Sequence, residues 1–571
     1  MHPDLDSIYP HIIPEITEWP IYKMSDNRSD FIKRLNEYTK GRLINETKAD
    51  IEEVLKKTIY LEKQRAKRTP WKVDPADDKT YWNALDKEII DAISRDNKDA
   101  LLNQILERII NRYNEEIVGN FKKKTFKFAR KFLTSLFKRL FNAARGNGVL
   151  RPWGNRRSLQ NSIIAHGHVD ELRNLFNKGT VVILPTHFSN LDSILIGYTL
   201  DAVVGIPAPA YGAGLNLLNN EIVAYFINRL GAYRVDRRKK NPIYLECLKS
   251  MSSYSIQQGI NQIFFPGGTR ARDGKIESKV KLGLLGSVVE AQRHAIFDNT
   301  GNKIFIVPMV LNYNFVLEAD ALIEQYLRKN GKEQYTKSKS KSGPKSTFKF
   351  LKNLVTKKSD IEVSFGRPYD VFGNEVDTEG NSLDRNGEVI DIEGYFKSEG
   401  ELKTVVQREK VYTKLLGEKI TKSFSINNVV LPSHLVAYTA FRMLMHSNKN
   451  VPFYKLFNLK PDDFEIDKEL FKKVIGKLKT HLIKLNKNGK ILLSDKLEAP
   501  LETVIQQGID YLGIYHVQKV LKVDKNDKIK SENLRLLFYY HNALDGYDLD
   551  EAINLVDYIE EPLLVNQNRE D

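Results

Sequence analysis

The sequence predicts an α/β fold: a mixed, largely parallel sheet flanked by helices, with a helical region before it and another after it. Between residues 146 and 372, short apolar runs alternate with helical segments, which is the pattern of parallel strands joined by crossover helices. The chain has 571 residues, too many for one hydrophobic core. The strand candidates are TVVILP (180–185), AVVGIPAPAYG (202–212), NQIFFPG (261–267), KIFIVPMVL (303–311) and DIEVSFG (360–366).

Four regions are predicted along the chain. Residues 1–145 have helical periodicity with polar connections, and residues 146–372 hold the alternating strands and helices. Turn signals and short alternating runs predict a β-hairpin insertion over residues 373–400. Residues 401–571 are predicted to be mainly helical. We therefore expect the chemistry in the second region, between two helical flanks.

The N-terminal region ends in a segment, 121–145, that is predicted to form a basic amphipathic helix. Phe128, Phe132, Leu136 and Leu140 fall on one face, and the segment holds nine Lys or Arg residues and no acid. This composition favours contact with an anionic membrane surface. The alternative is a helix that packs on the core and turns a solvated basic face outward.

Charge and cysteine usage limit the class of protein. The net charge is +15, which favours polyanionic partners: nucleic acid, anionic lipid or an acidic carrier protein. The single cysteine, Cys247, excludes an intramolecular disulfide and suits a reducing cytoplasm. No apolar run approaches the ~20 residues that span a bilayer, and the first residues lack a signal-peptide pattern. We expect a protein that is soluble or lies on a membrane surface, with no transmembrane helix or signal peptide. The basic loop 328–358 fits contact with anionic lipid or an acidic carrier, or simple solvation.

The stretch PTHFSNLD (185–192) follows the apolar run VVIL and places His187 at the end of a predicted strand. Folds of this class usually carry their chemistry at that end. A neutral imidazole can accept a proton near pH 7, and Asp192 could orient the ring through one nitrogen. The alternative is an incidental histidine beside a helix-capping aspartate.

A second loop, IFFPGGTRARDGK (263–275), again follows a strand candidate. Gly267 and Gly268 would let backbone amides approach a ligand, and Arg270 and Arg272 are planar donors suited to phosphate. The alternative is a plain turn with exposed cations.

The basic stretch LGAYRVDRRKK (230–240) lies between these two loops in the chain. Arg237 and Arg238 are further candidates for phosphate binding. Alone, such a cluster is more typical of a solvated face.

The order of the blocks is informative: H-x-x-x-x-D, then G-A-x-x-x-x-R-R, then F-P-x-G-T-R-x-R-x-G, then I-V-P. This order resembles the glycerolipid acyltransferase superfamily. GAGLN (212–216), LGAYRVDRR and YNFVLEADALIEQ (313–325) are similar to its bacterial membrane-associated glycerol-3-phosphate acyltransferase branch. Two departures stand out. The family usually has Glu where this chain has Gly267, and Thr269 is more typical of the lysophosphatidate branch.

The resemblance implies transfer of a fatty acyl group from acyl-coenzyme A or acyl carrier protein to the hydroxyl of glycerol-3-phosphate, giving lysophosphatidate for phospholipid synthesis. Residues 146–372 would be the catalytic domain. Lysophosphatidate and dihydroxyacetone phosphate remain alternative acceptors. An inactive lipid-binding homologue, or a basic protein that binds nucleic acid or membrane, is a more remote alternative. The resemblance implies a peripheral position on the cytoplasmic side of the membrane, with no nucleic-acid partner.

The resemblance also implies roles for the candidate residues. His187 would be the general base and Asp192 would orient it, while Arg270, Arg272 and either Arg237 or Arg238 would bind the phosphate. The remaining predicted roles are an oxyanion site at Gly267, Gly268 and Thr269, and an acyl channel lined by Pro308. For Pro308 a buried core strand is the alternative. No metal, nucleotide or flavin is expected.

Overall fold

A computed structural model describes residues 9–46, 50–71, 73–143, 163–214, 221–335, 361–460 and 464–550. Its centre is a seven-stranded, mostly parallel sheet with helices packed on it, so the predicted α/β class is confirmed. The central strands are β1 (Ile163–Gly167), β2 (Gly179–Pro185), β3 (Ala210–Gly214), β4 (Ala232–Val235), β5 (Gln262–Ile263), β6 (Lys303–Tyr313) and β7 (Ile361–Phe365).

The strand order is β1-β7-β6-β2-β5-β3-β4, and one pairing breaks the parallel pattern. The strands from β6 to β4 all pair in parallel, whereas β7 runs antiparallel to β6. Strand β2 lies in the middle, where Val182 pairs with Gln262 of β5 and Leu184 pairs with Pro308 of β6. This pairing brings the carboxyl ends of β2 and β5 side by side.

Two details of the predicted strands are wrong. The candidate 202–212 is a strand only from Ala210, because the π-helix Thr199–Val204 extends the preceding helix until Gly205 adopts a left-handed conformation. Strands β1 and β4 have no counterpart among the candidates. Their residues are only partly buried at several positions, so the apolar run that reveals β2 and β6 is missing from them.

Helices dominate the chain before the sheet. They are α1 (Pro20–Asp26), α2 (Arg28–Gly41), α3 (Ile51–Arg68), α4 (Asp78–Ile93), α5 (Lys98–Ile117) and α6 (Lys123–Ala143). Helices α2, α3 and α5 pack on the crossover helix Pro242–Gln257 through an aromatic core that includes Trp82, Tyr113 and Tyr244. The N-terminal region thus shares a core with the sheet's own helices.

The predicted amphipathic helix is α6. Phe121, Phe126 and Ala129 are buried, whereas Phe128 is 58% exposed and Phe132 is 56% exposed. The two exposed rings stack on each other, and Phe128 also stacks on Phe226. The side chains of Leu136 and Leu140 lie outside the described residues. Helix α6 therefore packs on the core with one face and leaves an aromatic face open.

The crossover helices, and those that follow the sheet, complete the layers. They are α7 (Val169–Leu175), α8 (Asp192–Tyr198), α9 (Glu221–Arg229), α10 (Pro242–Gln257), α11 (Leu282–Phe297), α12 (Ala319–Lys329), α13 (Val406–Ile426), α14 (Pro432–Ser447), α15 (Lys468–Lys487), α16 (Leu501–Tyr511) and α17 (Leu534–His541). Within the described residues, no helix is long and apolar enough to cross a membrane.

Short strands accompany the later helices. The segment 373–400, predicted as a hairpin insertion, contains β8 (Glu375–Val376), β9 (Ser382–Leu383) and β10 (Val389–Ile390), which pair antiparallel. It also contains β11 (Lys397–Ser398), which pairs with β12 (Glu401–Leu402) just beyond the segment. The last strands are β13 (Val429–Val430), β14 (Glu465–Asp467), β15 (Leu492–Leu493), β16 (Lys522–Val523) and β17 (Lys528–Lys530).

The C-terminal helices pack against the loop that follows β5. The side-chain amide of Asn542 donates to the carbonyl of Asp273 at 2.7 Å, and Lys275 pairs with Asp545. Between these contacts Gly274 has a φ of 82°, and a side chain there would overlap the carbonyl oxygen of Tyr539. The loop of residues 263–275, which carries the Gly-Gly-Thr-Arg sequence, is therefore held against the C-terminal region at Gly274.

We expect Gly274→Ala to lower the free energy of unfolding by about 1–3 kcal/mol more than Gly387→Ala does. Both glycines have a left-handed φ, so an alanine at either position carries a similar conformational strain. A side chain at Gly387 would face open space, whereas one at Gly274 would meet Tyr539. Chemical denaturation of the two variants measures the difference. Equal losses would show that Gly274 is not a packing contact.

Candidate active site

The sheet topology places the sequence blocks at one edge. PTHFSNLD follows β2, the Gly-Gly-Thr-Arg loop follows β5, and Arg237 follows β4. Because β2, β5, β3 and β4 are successive parallel neighbours, their carboxyl ends share one side of the sheet. The fold therefore gathers segments that are distant along the chain, such as those of His187 and Arg272.

His187 is held by Asp192 in the geometry of a base and its orienting acid. The Nδ1 atom lies 2.8 Å from Oδ2 of Asp192, and the His187 side chain retains 16% exposure while that of Asp192 is fully buried. Within the described residues, Nε2 of His187 has no hydrogen-bond partner. A neutral ring so placed donates from Nδ1 and presents Nε2 as a proton acceptor.

The Asp192 carboxylate is fixed by further donors. The backbone N–H groups of Phe188 and Ser189 donate to Oδ2 at 2.7 and 2.9 Å, and the Tyr313 hydroxyl donates to Oδ1 at 2.6 Å. Burial raises the pKa of Tyr313 well above its usual value, so the phenol stays protonated and remains a donor. Asp192 thus begins helix α8 and holds the histidine with the same carboxylate.

The Gly-Gly-Thr-Arg loop (residues 263–275) contacts His187 directly. The N–H of Ala271 donates to the carbonyl of His187 at 2.8 Å. The ring of Phe265 stacks on the imidazole with centroids 4.0 Å apart. The loop that carries Arg270 and Arg272 is therefore tied to the backbone and to the ring of His187.

The three arginines at this edge differ in how they are held. Arg270 pairs with Glu318 at 3.3 Å, and Glu318 also accepts from the Ser189 hydroxyl and from the N–H of Asn190. Arg237 donates to the carbonyl of Gly268 at 2.8 Å. Arg272 makes no hydrogen bond or ion pair within the part of the chain that the structure describes. All three have donors left for an anionic ligand.

Arg238 does not fit its predicted role. Its guanidinium donates to both carboxylate oxygens of Asp236, to both of Asp74 and to the carbonyl of Thr69, and it stacks on Trp71. These contacts use all five of its N–H groups. Arg238 anchors the N-terminal region to the sheet edge, and Arg237 is the member of the pair that remains available.

The predicted oxyanion site is also corrected in part. The N–H of Gly268 donates to the carbonyl of Phe265 within a tight turn, and the N–H of Gly267 bonds the carboxyl group of Glu277. Neither amide is free for a substrate. The backbone and hydroxyl donors of Thr269 make no hydrogen bond within the described residues, so Thr269 is the member of this set that keeps its donors.

Within the described residues, Pro308 takes the alternative role of a buried core-strand residue and does not line the apolar cavity near His187. It lies in the buried strand β6, and its carbonyl accepts from the N–H of Gly366 at 2.8 Å. An apolar cavity of about 100 Å³ lies elsewhere, between α6, α8 and the strand ends. Its lining includes Phe126, Leu133, Ile194, Tyr211, Ile263 and Phe265. Because Phe265 also stacks on His187, this cavity reaches the site.

Four site residues had no predicted role: Phe265, Glu277, Tyr313 and Glu318. Phe265, Tyr313 and Glu318 lie in stretches already singled out in the sequence. The sequence gives no sign of which residues they contact. Glu277 lies past the motif and has no sequence signal. Burial raises its pKa to about 8, while the amides of His187 and Gly267 bond to it.

Two other features remain outside the site. His166 pairs with Glu362, and His168 pairs with Glu171 at the start of α7; no metal cluster occurs among the described residues. Most of the basic loop 328–358 lies outside the described residues, which end at 335 on that side.

An oriented histidine and three arginines with available donors lie at the carboxyl edge of the sheet, an arrangement suited to general-base chemistry on an anionic ligand. Residues 166–312 match the family model described as Acyltransferase. The predicted resemblance to the glycerolipid acyltransferase superfamily is therefore confirmed over this segment.

Curated relatives with similar sequences agree with this class. The chain is 27% identical over 237 residues to a glycerol-3-phosphate acyltransferase of Pseudoalteromonas translucida, covering 41% of this chain and 25% of the relative. It is 30% identical over 169 residues to one of Histophilus somni, covering 29% and 20%. One of Ectopseudomonas mendocina is 28% identical over 204 residues, covering 35% and 23%. The chain thus spans a quarter or less of the length of these relatives.

The buried carboxyl of Glu277 predicts a pH dependence of stability. An unfolded Glu ionises above about pH 4.5, whereas the folded group stays protonated until about pH 8, so wild-type stability falls as the pH rises through this window. We expect Glu277→Gln to gain stability relative to wild type by on the order of 1 kcal/mol per pH unit between these limits. Denaturation at pH 5 and pH 8 measures this gain, with exposed Glu379→Gln as the control. A constant difference between Glu277→Gln and wild type would contradict the assignment.

Proposed function

We propose that this protein transfers a fatty acyl group from an acyl thioester to the hydroxyl of glycerol-3-phosphate. The observation that carries the proposal is the His187 ring, held by a buried carboxylate and joined through its own carbonyl to a loop of arginines. The match to the acyltransferase family and the similarity to bacterial glycerol-3-phosphate acyltransferases support the acceptor.

In the proposed reaction Nε2 of His187 takes the proton of the acceptor hydroxyl as its oxygen attacks the thioester carbonyl carbon. The tetrahedral intermediate then breaks its carbon–sulfur bond, and the thiolate takes the proton back from His187, leaving an ester and a thiol. Asp192 holds the tautomer and stabilises the imidazolium without itself taking a proton. Thr269 supplies the donors nearest the glycine turn for the developing oxyanion.

Phosphate recognition falls to Arg270, Arg272 and Arg237. Guanidinium groups bind phosphate oxygens through pairs of N–H donors, which sets the direction of the acceptor as well as its affinity. Glu318 holds Arg270 in place and also binds the loop beside His187, so the phosphate site and the base share one support. Such positioning contributes several kcal/mol to catalysis.

The acyl chain occupies the apolar cavity beside Phe265 in this proposal. Phe126 and Leu133 of α6 form one wall, and Ile194 and Gly197 of α8 form another. The helix that begins at Asp192 thereby lines the cavity and holds the base. The donor thioester is acyl-coenzyme A or acyl carrier protein, and no metal or other cofactor takes part in these steps.

The first experiment measures thiol release from palmitoyl-coenzyme A and from palmitoyl acyl carrier protein, with anionic vesicles present. Glycerol-3-phosphate, dihydroxyacetone phosphate and lysophosphatidate are supplied in parallel. We expect release with glycerol-3-phosphate, and a loss of at least about 100-fold in His187→Ala because the general base is removed.

His168→Ala is the matched control, because this histidine is in the same domain and pairs with Glu171 away from the site. It should keep wild-type activity. Release with lysophosphatidate alone would move the protein to the second acylation step. No release with any pair of substrates would contradict the proposal and favour an inactive lipid-binding homologue.

We further propose that the exposed face of α6 binds an anionic membrane surface on the cytoplasmic side. Phe128 and Phe132 stack in the open, and the partly exposed Phe226 lies against Phe128. Lys122, Lys124 and Lys131 lie exposed on the same segment. Exposed aromatic rings with lysines on the same segment suit the membrane interface, because the rings can enter the acyl-chain region while the lysines contact the headgroups. The cavity wall formed by α6 would then open next to the bilayer.

Replacing Phe128 and Phe132 together by Ser should weaken binding to phosphatidylglycerol-containing vesicles by at least about tenfold, because two inserted rings are lost. Val411→Ser with Leu415→Ser is the matched control, since this pair is also exposed on a helix and spaced by four residues. Vesicle co-sedimentation measures both. Equal loss in the two double variants would contradict a specific docking face.

A further inference from the structure

A carboxyl group lies where position 267 would place a side chain. A Cβ built at Gly267 would be 2.5–2.8 Å from the carboxyl atoms of Glu277. Gly267 does not adopt a left-handed φ, unlike its neighbour Gly268. The backbone at 267 therefore does not require glycine, and the nearest obstacle to a side chain there is the carboxyl group of Glu277.

The Glu277 carboxyl joins the two halves of the site. Its Oε1 accepts from the N–H of His187 at 3.3 Å, and the N–H of Gly267 also bonds to the group. One contact is to the loop after β2 and the other to the loop after β5. The carboxyl is thus a bridge between the base and the arginine-bearing loop.

Burial of this carboxyl carries an energetic cost. Within the described residues it forms no ion pair, its Oε2 atom is buried without a hydrogen-bond partner, and the carboxylate of Asp192 lies close enough to disfavour ionisation. Its raised pKa keeps it protonated near pH 7, so that Oε2 can carry a hydroxyl donor. A glutamine would make the amide contacts without this cost.

We propose that Glu277 is a positioning residue of the active site, supplying from ten residues downstream the carboxyl that a side chain at 267 would otherwise carry. The inference rests on the proposed function. It also accounts for Gly267 at the position where the family that the sequence resembles usually has glutamate, since a side chain there would overlap the Glu277 carboxyl. By bonding the N–H groups of both His187 and Gly267, Glu277 fixes the position of His187 relative to the loop that carries Arg270 and Arg272.

The test exchanges the carboxyl between the two positions. Glu277→Ala should lower kcat by roughly 100-fold with little change in the KM for glycerol-3-phosphate, because the base is displaced while the arginines remain. Gly267→Glu in the wild-type background should also be inactive, because two carboxyl groups compete for one space. The double variant Gly267→Glu with Glu277→Ala should recover at least about tenfold over Glu277→Ala. Glu277→Gln should keep most of the activity because it reproduces both amide contacts.

Melting temperatures of all variants separate loss of positioning from loss of folding. Full kcat in Glu277→Ala would overturn the proposal, and so would Gly267→Glu being equally harmful with and without Glu277. If Glu277→Ala fails to fold, the exchange is judged on Glu277→Gln and on the double variant alone. An inactive Glu277→Gln or an inactive, folded double variant would then overturn the proposal.

A second readout separates this inference from the proposed function. In protein labelled with ¹⁵N-histidine, the His187 ring signal is assigned by its loss in His187→Ala. We expect this signal to shift in Glu277→Ala and to return in the double variant, whether or not any acceptor is acylated. If wild type is inactive with every substrate while the His187 signal behaves in this way, the proposed function fails and the positioning role stands. An unmoved signal overturns the positioning role.

Discussion

The buried carboxylate of Asp192 is the group on which the rest of the site depends. It accepts hydrogen bonds from the imidazole of His187, from two backbone amides of the turn and from the hydroxyl of Tyr313. A buried charge is stable only when several donors surround it. The same bonds that stabilise the carboxylate fix the strand-to-helix turn and the direction of the base, so fold and chemistry share one cause.

The regions before and after the sheet support this edge from two sides. Asp74 and Trp71 of the N-terminal region hold Arg238, and the segment around Tyr539 and Asn542 holds the loop at Gly274. Catalytic loops lack the dense hydrogen bonding of a sheet, so they need external contacts to keep one geometry. The flanking helices supply those contacts, which gives them a structural purpose beside any membrane role of α6.

Much of the fold and part of the site followed from the sequence. Strands β2 and β6 are continuous apolar runs, because both faces of a central parallel strand are buried. Such runs identify the strands from the sequence alone. His187, Asp192 and Arg270 were found because each lies in a block directly after a strand. Strands β1 and β4 were missed because half-buried edge strands lack that signal. Arg237 and Arg238 are adjacent and chemically identical, so only their neighbours Gly268 and Asp74 distinguish them.

The sequence by itself determined the fold class, the helical flanks and the pairing of His187 with Asp192, because these depend on local periodicity and on residues five apart. The tertiary structure alone decided three things: which arginine stays available, which amides are already bonded, and where an apolar cavity lies. It also brought Glu277 into the space above Gly267. Each of these depends on contacts between segments distant in the chain, and such contacts leave no pattern in the residues that make them.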